Sequence, residues 1–217
     1  MVFSSKPCLL DRNPTTPAST TICVEEIMHF LIGIWSAFLQ TWIHIGIHIF
    51  PHTIHPMVVH FPIALLYLAL AVDILGKLVK TPDRFFDRAS FWLTVLGFIA
   101  GAVAAAMGVI SEQFVKWNST TIAILAAHQR DAVLTGIFAF LAIIARLIAH
   151  YPQTAMGRNS RWSFANSGRG RSTGLSTLFL FLAVVMITLT GTLGGTMVYH
   201  YGVGIRHVTY INPLKKP

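Results

Sequence analysis

Charged residues are scarce in this sequence. Only 11% of its 217 residues are Asp, Glu, Lys or Arg, whereas 54% are hydrophobic, and the mean hydropathy is +0.63. This composition excludes an ordinary soluble globular domain. Acids are scarcest, with eight Asp and Glu against 16 Lys and Arg, for a formal net charge of +8. The basic residues fall in short stretches between apolar runs, so they indicate membrane topology and not a nucleic-acid partner.

Thiols and catalytic motifs are also lacking. Cys8 and Cys23 are too few and too loosely placed for a disulfide framework or a metal site. We find no Ser-His-Asp set, paired carboxylates, phosphate loop or nucleotide fingerprint. We also find no internal repeat and no helix interrupted at mid-depth, which weakens a transporter hypothesis. We therefore favour a non-catalytic subunit, although the sequence leaves open whether the protein is an enzyme.

Long apolar runs are abundant, and several approach the roughly 20 residues that cross a bilayer. They predict an all-α fold, a polytopic transmembrane helical bundle in contact with membrane lipid. A candidate N-terminal span at 27–50 has polar residues at every fourth position, which form one line on an apolar helix. We favour a span there over a helix lying in the membrane interface. The four core spans are 57–79, 91–111, 121–150 and 174–199.

Two prolines lie near the start of the first core span. Pro56 suits a helix start, and Pro62 is close enough to that start for the span to continue with little distortion.

The pattern of apolar runs also predicts the domain organisation. The predicted divisions are a polar N-terminal tail at 1–26, an extra apolar helix at 27–51, a four-helix membrane domain at 52–206 and an outer C-terminal tail at 207–217.

Lys and Arg are concentrated in two predicted loops, 77–90 and 146–172. The positive-inside rule places such loops on the cytoplasmic side, here of a bacterial inner membrane. The intervening loop has a single basic residue, Lys116. The C-terminus is therefore predicted to be periplasmic.

Small residues recur in the second core span. Gly97, Gly101 and Ala105 recur at every fourth position, and Gly108 follows. Small residues in such a register allow another helix backbone to approach closely. We expect this helix to be tightly packed.

Most of the histidines fall on the predicted outer side. Neutral imidazoles on separate helices at one depth are typical of haem ligation, in which two axial histidines bind the iron and Gly or Ala makes room for the ring. We therefore predict one or two molecules of haem b. The candidate cofactor-binding residues are His55, His60, His128 and His200, with Arg130 and Arg206 for the propionates. Among these, the candidate metal ligands are His60, His128 and His200.

Other interpretations remain open. A non-haem metal site is less favoured, because Glu112 and Asp131 are the only acids on the outer side and such sites commonly recruit carboxylate or thiolate. A proton relay through His60, His128 and Asp131 is one alternative. Another is a cofactor-free structural subunit of a respiratory or photosynthetic complex, with histidines that only form hydrogen bonds.

Three segments carry a family resemblance: HPMVVHFPIALL at 55–66, AHQRDAVLTG at 127–136 and TGTLGGTMVYHYGVGI at 190–205. Together they resemble a family of small bacterial four-helix inner-membrane proteins catalogued as a domain of unknown function. Residues 1–51 depart from that family. The positions that match its pattern are His55, His60, Pro62, His128, Gly194, Gly195, Gly202 and Gly204.

Related modules are sometimes joined to or found beside c-type cytochromes. The resemblance therefore implies other subunits of a membrane redox complex as partners, with a c-type cytochrome as one candidate. We accordingly expect the protein to pass electrons between a membrane carrier and a partner on the outer side.

Overall fold

The computed structural model describes residues 17–79, 85–155 and 174–205, and their side chains over 25–79, 85–149 and 174–205. The chain divides into two units, residues 1–49 and residues 50–217.

The described residues form helices and turns, without β-strands, so the predicted all-α class is confirmed. Five helical stretches are long and apolar enough to cross a membrane. The helices are α1 (Pro17–Ile49), α2 (Ile54–Val58), α3 (His60–Leu78), α4 (Phe85–Glu112), α5 (Ser119–Ala155) and α6 (Gly174–Tyr199).

The first unit contains α1, which begins at Pro17 and therefore earlier than the helix predicted at 27–51. Two side chains on its polar line bond to its own backbone. The Ser36 hydroxyl donates to the Gly33 carbonyl at 2.9 Å, and His48 Nδ1 donates to the His44 carbonyl at 2.7 Å. Such internal bonds suit a span and an interfacial helix equally, so the choice between them stays a prediction.

The second unit is a bundle of two helical hairpins. The α2–α3 segment packs against α4, and α5 packs against α6; smaller seams join α3 to α6 and α4 to α5. Large apolar side chains such as Phe61, Trp92 and Phe140 remain exposed around the outside, as expected for helices in lipid. The buried core consists of Leu66, Ala69, Ala139, Ala142, Leu180, Ala183, Val184 and Ile187.

The first core span has one irregular residue, Val59, which lies between α2 and α3. Val59 keeps helical backbone angles, with φ −62° and ψ −21°, so the two helices continue as one span, Ile54–Leu78. Pro62 explains the irregularity, because it has no N–H to donate to the Val58 carbonyl and its ring crowds that carbonyl. The distortion is small, as predicted.

Two predicted loops are shorter than expected. Because α3 continues to Leu78 and α4 begins at Phe85, the loop predicted at 77–90 is mostly helical. The loop predicted at 146–172 is wrong at its start, because Arg146 lies within α5, with only 5% of its surface exposed.

The predicted close approach at the α4 glycines is confirmed. A Cβ atom on Gly97 would lie 2.9 Å from Leu66 Cδ2, and one on Gly101 would lie 3.9 Å from Pro62 Cβ. Ala105 is exposed, however, and Ala104 is buried instead. Because a helical turn is shorter than four residues, a strict four-residue spacing drifts around the helix, so the third position leaves the contact face.

The two hairpins repeat the same arrangement, which corrects the expectation that the chain lacks an internal repeat. Each hairpin contains two pairs of residues that correspond to two pairs in the other hairpin. The two members of every pair are 18 residues apart in the sequence. The pairs are His55 with Asp73, His128 with Arg146, Ser90 with Gly108 and Ser176 with Gly194.

This common separation corresponds to about five full helical turns and a rise of about 27 Å, which is close to the thickness of the hydrocarbon core. Each pair therefore lies on one face of its helix, near opposite ends of the bundle. We call these the histidine end and the charged end. Buried positions follow the same correspondence, with Leu66 matching Ala139 and Ala69 matching Ala142.

Candidate functional site

His55 and His128, here called the imidazole pair, meet at the histidine end of the bundle. Their ring centroids are 6.2 Å apart and their planes are 83° apart. Each ring is held by a helix of its own hairpin. His55 Nδ1 donates to the Ala104 carbonyl of α4 at 2.9 Å, and His128 Nδ1 donates to the Thr190 carbonyl of α6 at 2.9 Å.

A glycine lies one helical turn after each accepting carbonyl. Gly108 follows Ala104, and Gly194 follows Thr190. A Cβ atom on Gly108 would lie 3.2 Å from His55 Nδ1, and one on Gly194 would lie 3.4 Å from His128 Cε1. The glycines therefore make room for the imidazoles themselves and leave the carbonyls accessible to a side chain from another helix.

These hydrogen bonds determine the tautomer of each neutral ring. A backbone carbonyl can only accept, so the proton is on Nδ1 and the lone pair is on Nε2. A metal-binding histidine commonly has this arrangement, in which a bond at one nitrogen orients the ring and the other nitrogen is the ligand. Both imidazoles of the pair thus have Nε2 available for a further partner.

The separation of the rings fits a metal held between two imidazoles. With metal–nitrogen bonds of about 2 Å, a linear imidazole–metal–imidazole unit has its ring centroids about 6 Å apart. Within the described parts of the chain, no three His, Cys, Asp or Glu side chains form a metal-binding group. Two imidazoles are the axial set that haem iron uses, because the macrocycle supplies the remaining ligands.

Two other predicted ligands lie elsewhere. His60 is the first residue of α3 and is exposed. His200 follows the end of α6, is also exposed, and has its ring 4.7 Å from that of Tyr201. The structure brings His55 and His128 together and does not bring His60 or His200 into that pair.

The predicted propionate-binding arginines have different outcomes. The guanidinium of Arg130 is 69% exposed and contacts Asp131 Oδ1 at 2.9 Å through two nitrogens. Arg206 lies outside the described residues. Asp131 is buried, with 5% of its surface exposed, and lies just under one helical turn after His128, which places both on one face of α5. Glu112 accepts a bond from Gln129 Nε2 at 2.8 Å.

Sequence reasoning missed a second polar cluster, at the charged end. Its centre is an ion pair between Asp73 of α3 and Arg146 of α5, whose side chains are 0% and 5% exposed. Asp73 Oδ2 also accepts from Thr177 Oγ1 at 2.5 Å and contacts Lys77 Nζ at 3.3 Å.

Besides Asp73, Arg146 is bonded to groups on both hairpins. It donates to Ser90 Oγ at 3.0 Å, to Ser176 Oγ at 3.4 Å and to the Asp87 carbonyl at 3.4 Å. Ser90 in turn donates to the Ala69 carbonyl at 2.9 Å. We call this set the charged network: Asp73, Lys77, Asp87, Ser90, Arg146, Ser176 and Thr177. It joins all four helices of the bundle.

These features define a multi-pass membrane protein, a four-helix bundle with an additional apolar helix before it. The chain belongs to the family described as "Predicted membrane protein (DUF2231)", which matches residues 51–207. The family resemblance noted in the sequence is thereby confirmed. No curated protein and no solved structure matches the chain.

Proposed function

We propose that the protein is an electron-transfer subunit that binds a b-type haem between His55 and His128. The observation that supports this most is the imidazole pair, with each ring fixed through Nδ1 and its Nε2 left for a ligand. The haem would supply one-electron chemistry, and the protein would hold and orient the axial imidazoles. The histidine end would lie near the periplasmic face of a bacterial inner membrane, with a c-type cytochrome among the candidate partners.

The open space at Gly191 supports a flat cofactor. Gly191 follows Thr190, whose carbonyl holds His128, and a Cβ atom at Gly191 would meet no atom within 4 Å. A macrocycle needs space beside its ligands, and a glycine at this position leaves such space.

The test is a reduced-minus-oxidised absorbance spectrum of the purified full-length protein, with variants of four histidines. We expect b-type haem bands in the wild type and their loss in His55→Ala and His128→Ala. His60→Ala and His200→Ala are the controls and should retain the bands. A wild type with neither haem bands nor iron would contradict the proposal, and loss of haem only in the controls would contradict the assignment of the ligands.

A second candidate is a cofactor-free accessory subunit of a larger complex. It is favoured by α1, because this helix is long and apolar enough to cross a membrane and lies outside the residues that match the family. Native purification that recovers stoichiometric partner subunits with no cofactor would support this candidate over the first.

A further inference from the structure

A hydroxyl pair faces the outside of the bundle between α3 and α6. Tyr67 Oη lies 2.6 Å from Thr188 Oγ1, and 44% of the surface of Tyr67 is exposed. Tyrosine in membrane proteins is usually enriched at the water interface. Tyr67, by contrast, lies near the middle of the Ile54–Leu78 span, far from both of its ends.

The direction of this hydrogen bond follows from the threonine. Thr188 has a single hydroxyl proton, which it donates to the Val184 carbonyl at 2.7 Å. Tyr67 must therefore be the donor to Thr188. Its phenolic oxygen keeps acceptor capacity, and no group in the described residues donates to it. The result is an available acceptor at the depth where water is absent.

The internal repeat shows that helix packing does not require this pair. Phe140 occupies the same position relative to His128 that Tyr67 occupies relative to His55. In the same way, Ala102 stands in α4 where Thr188 stands in α6, each shortly before the carbonyl that holds an imidazole. The corresponding seam between α4 and α5 thus has Phe140 and Ala102, without hydroxyls. The bundle forms one seam with the hydroxyl pair and one without it.

The hydroxyl pair shares α6 with the carbonyl that holds His128. That carbonyl belongs to Thr190, which is the next residue but one after Thr188. Tyr67 lies twelve residues after His55, a rise of about 18 Å along the helix. A ligand bound at Tyr67 would therefore lie nearer the middle of the span than the imidazole pair.

We propose that the seam between α3 and α6 binds the head group of a membrane hydroquinone, whose O–H donates to the Tyr67 oxygen. Such a ligand reaches mid-bilayer depth because its tail is apolar. Its O–H can donate a hydrogen bond to the Tyr67 oxygen, which accepts none from the described residues. The proposal rests on the proposed function for the use of the ligand's electrons, but binding itself needs only the seam.

The Tyr67 hydroxyl donates its proton to Thr188, so we expect the site to prefer the reduced form of the ligand. A hydroquinone has O–H donors, whereas the corresponding quinone has only carbonyl acceptors. Because the Tyr67 proton is bound to Thr188, the site is complementary to the hydroquinone. The expected preference is about tenfold, the affinity change that corresponds to one hydrogen bond.

The test measures binding of radiolabelled decylubiquinol and decylubiquinone to the full-length protein in lipid nanodiscs, under reducing and oxidising conditions respectively. We expect the wild type to prefer decylubiquinol and Tyr67→Phe to lose that preference, with quinol affinity reduced about tenfold. The matched control is Tyr199→Phe, because Tyr199 is 91% exposed at the end of α6. That variant should bind like the wild type.

Introducing the same two hydroxyls into the seam between α4 and α5 tests directly whether they bind the hydroquinone. The double variant Ala102→Thr with Phe140→Tyr should add a second quinol site with the same preference for the reduced form. If Tyr67→Phe keeps the preference of the wild type, the hydroxyl pair only joins two helices and the proposal is overturned. A transplant that adds no binding also overturns it. Absence of haem bands with quinol binding intact would refute only the proposed function.

Discussion

The imidazole pair and the charged network lie at opposite ends of the same helices, on the same helix faces, and their hydrogen bonding differs. In the network, Asp73 and Arg146 are buried and bonded to each other and to neighbouring hydroxyls. In the pair, each ring uses one nitrogen for a backbone carbonyl and keeps the other. A cluster whose polar atoms are all matched stabilises a fold, whereas one with a spare ligand atom can bind something.

The repeat makes this difference informative. The hairpins place the same residue type, His, at equivalent positions of one end, but opposite charges, Asp73 and Arg146, at equivalent positions of the other. Like charges there would repel inside the bundle, so the opposite charges fix how the two hairpins pair. Identical imidazoles suit two equivalent axial ligands on one metal.

The largest effect on stability is expected for Asp73→Ala in the haem-free protein. We expect a loss of about 3–5 kcal/mol in the free energy of unfolding, because Arg146 would remain buried without its carboxylate. The measurement is an SDS titration in detergent micelles followed by tryptophan fluorescence. The control is Lys77→Ala, which removes a 3.3 Å contact of a 38% exposed side chain and should cost less than about 1 kcal/mol. Equal losses in the two variants would contradict a stabilising role for the buried pair.

Gly97→Ala tests the seam that connects the two ends of the first hairpin. The new Cβ would lie 2.9 Å from Leu66, which is 1% exposed and cannot move without disturbing the core. Overpacking of this kind costs about 1–3 kcal/mol. Gly136→Ala is the matched control, since its Cβ meets no atom within 4 Å. It should be neutral or stabilising in the same titration, and a neutral Gly97→Ala would mean that α3 and α4 can separate slightly.

The smallest expected effect compares the two glycines beside the imidazole pair. Gly108→Ala brings a Cβ to 3.2 Å from His55 Nδ1, whose position is fixed by Ala104, while Gly194→Ala makes only an ordinary 3.4 Å contact with His128. Both should change stability by less than about 1 kcal/mol, because alanine favours the helix by a similar amount. Haem content per protein, from absorbance, should fall only in Gly108→Ala. Equal retention in both variants would show that the space at Gly108 is not needed.

Much of the fold could be predicted from hydrophobic run lengths alone, because the bilayer sets a minimum length for each span. The position of Arg146 could not. Counting Lys and Arg near the ends of spans assigns every arginine there to a loop, and the carboxylate that allows Arg146 to be buried is 73 residues away. A single sequence does not reveal such a distant pairing.

The candidate site could be predicted in part. The sequence indicated the histidine end, but it could not distinguish His55 from His60, because the choice depends on the bond from His55 to Ala104, which is 49 residues away in the sequence. A local signal was present in the glycines that follow Ala104 and Thr190 by one helical turn, at equal distances from Ser90 and Ser176. The repeat is not apparent in the sequence because most equivalent positions hold different residue types, and only their spacing is retained.

The hydrogen bonds of the imidazole pair connect ring orientation to the mechanics of the bundle. The ring on α2 is attached to the backbone of α4, and the ring on α5 is attached to the backbone of α6. Helices adapt to a thinner or thicker bilayer by changing their tilt. A change of tilt between these helices therefore rotates or separates the two rings. The thickness of the bilayer thus affects the angle and the distance between the imidazoles of His55 and His128.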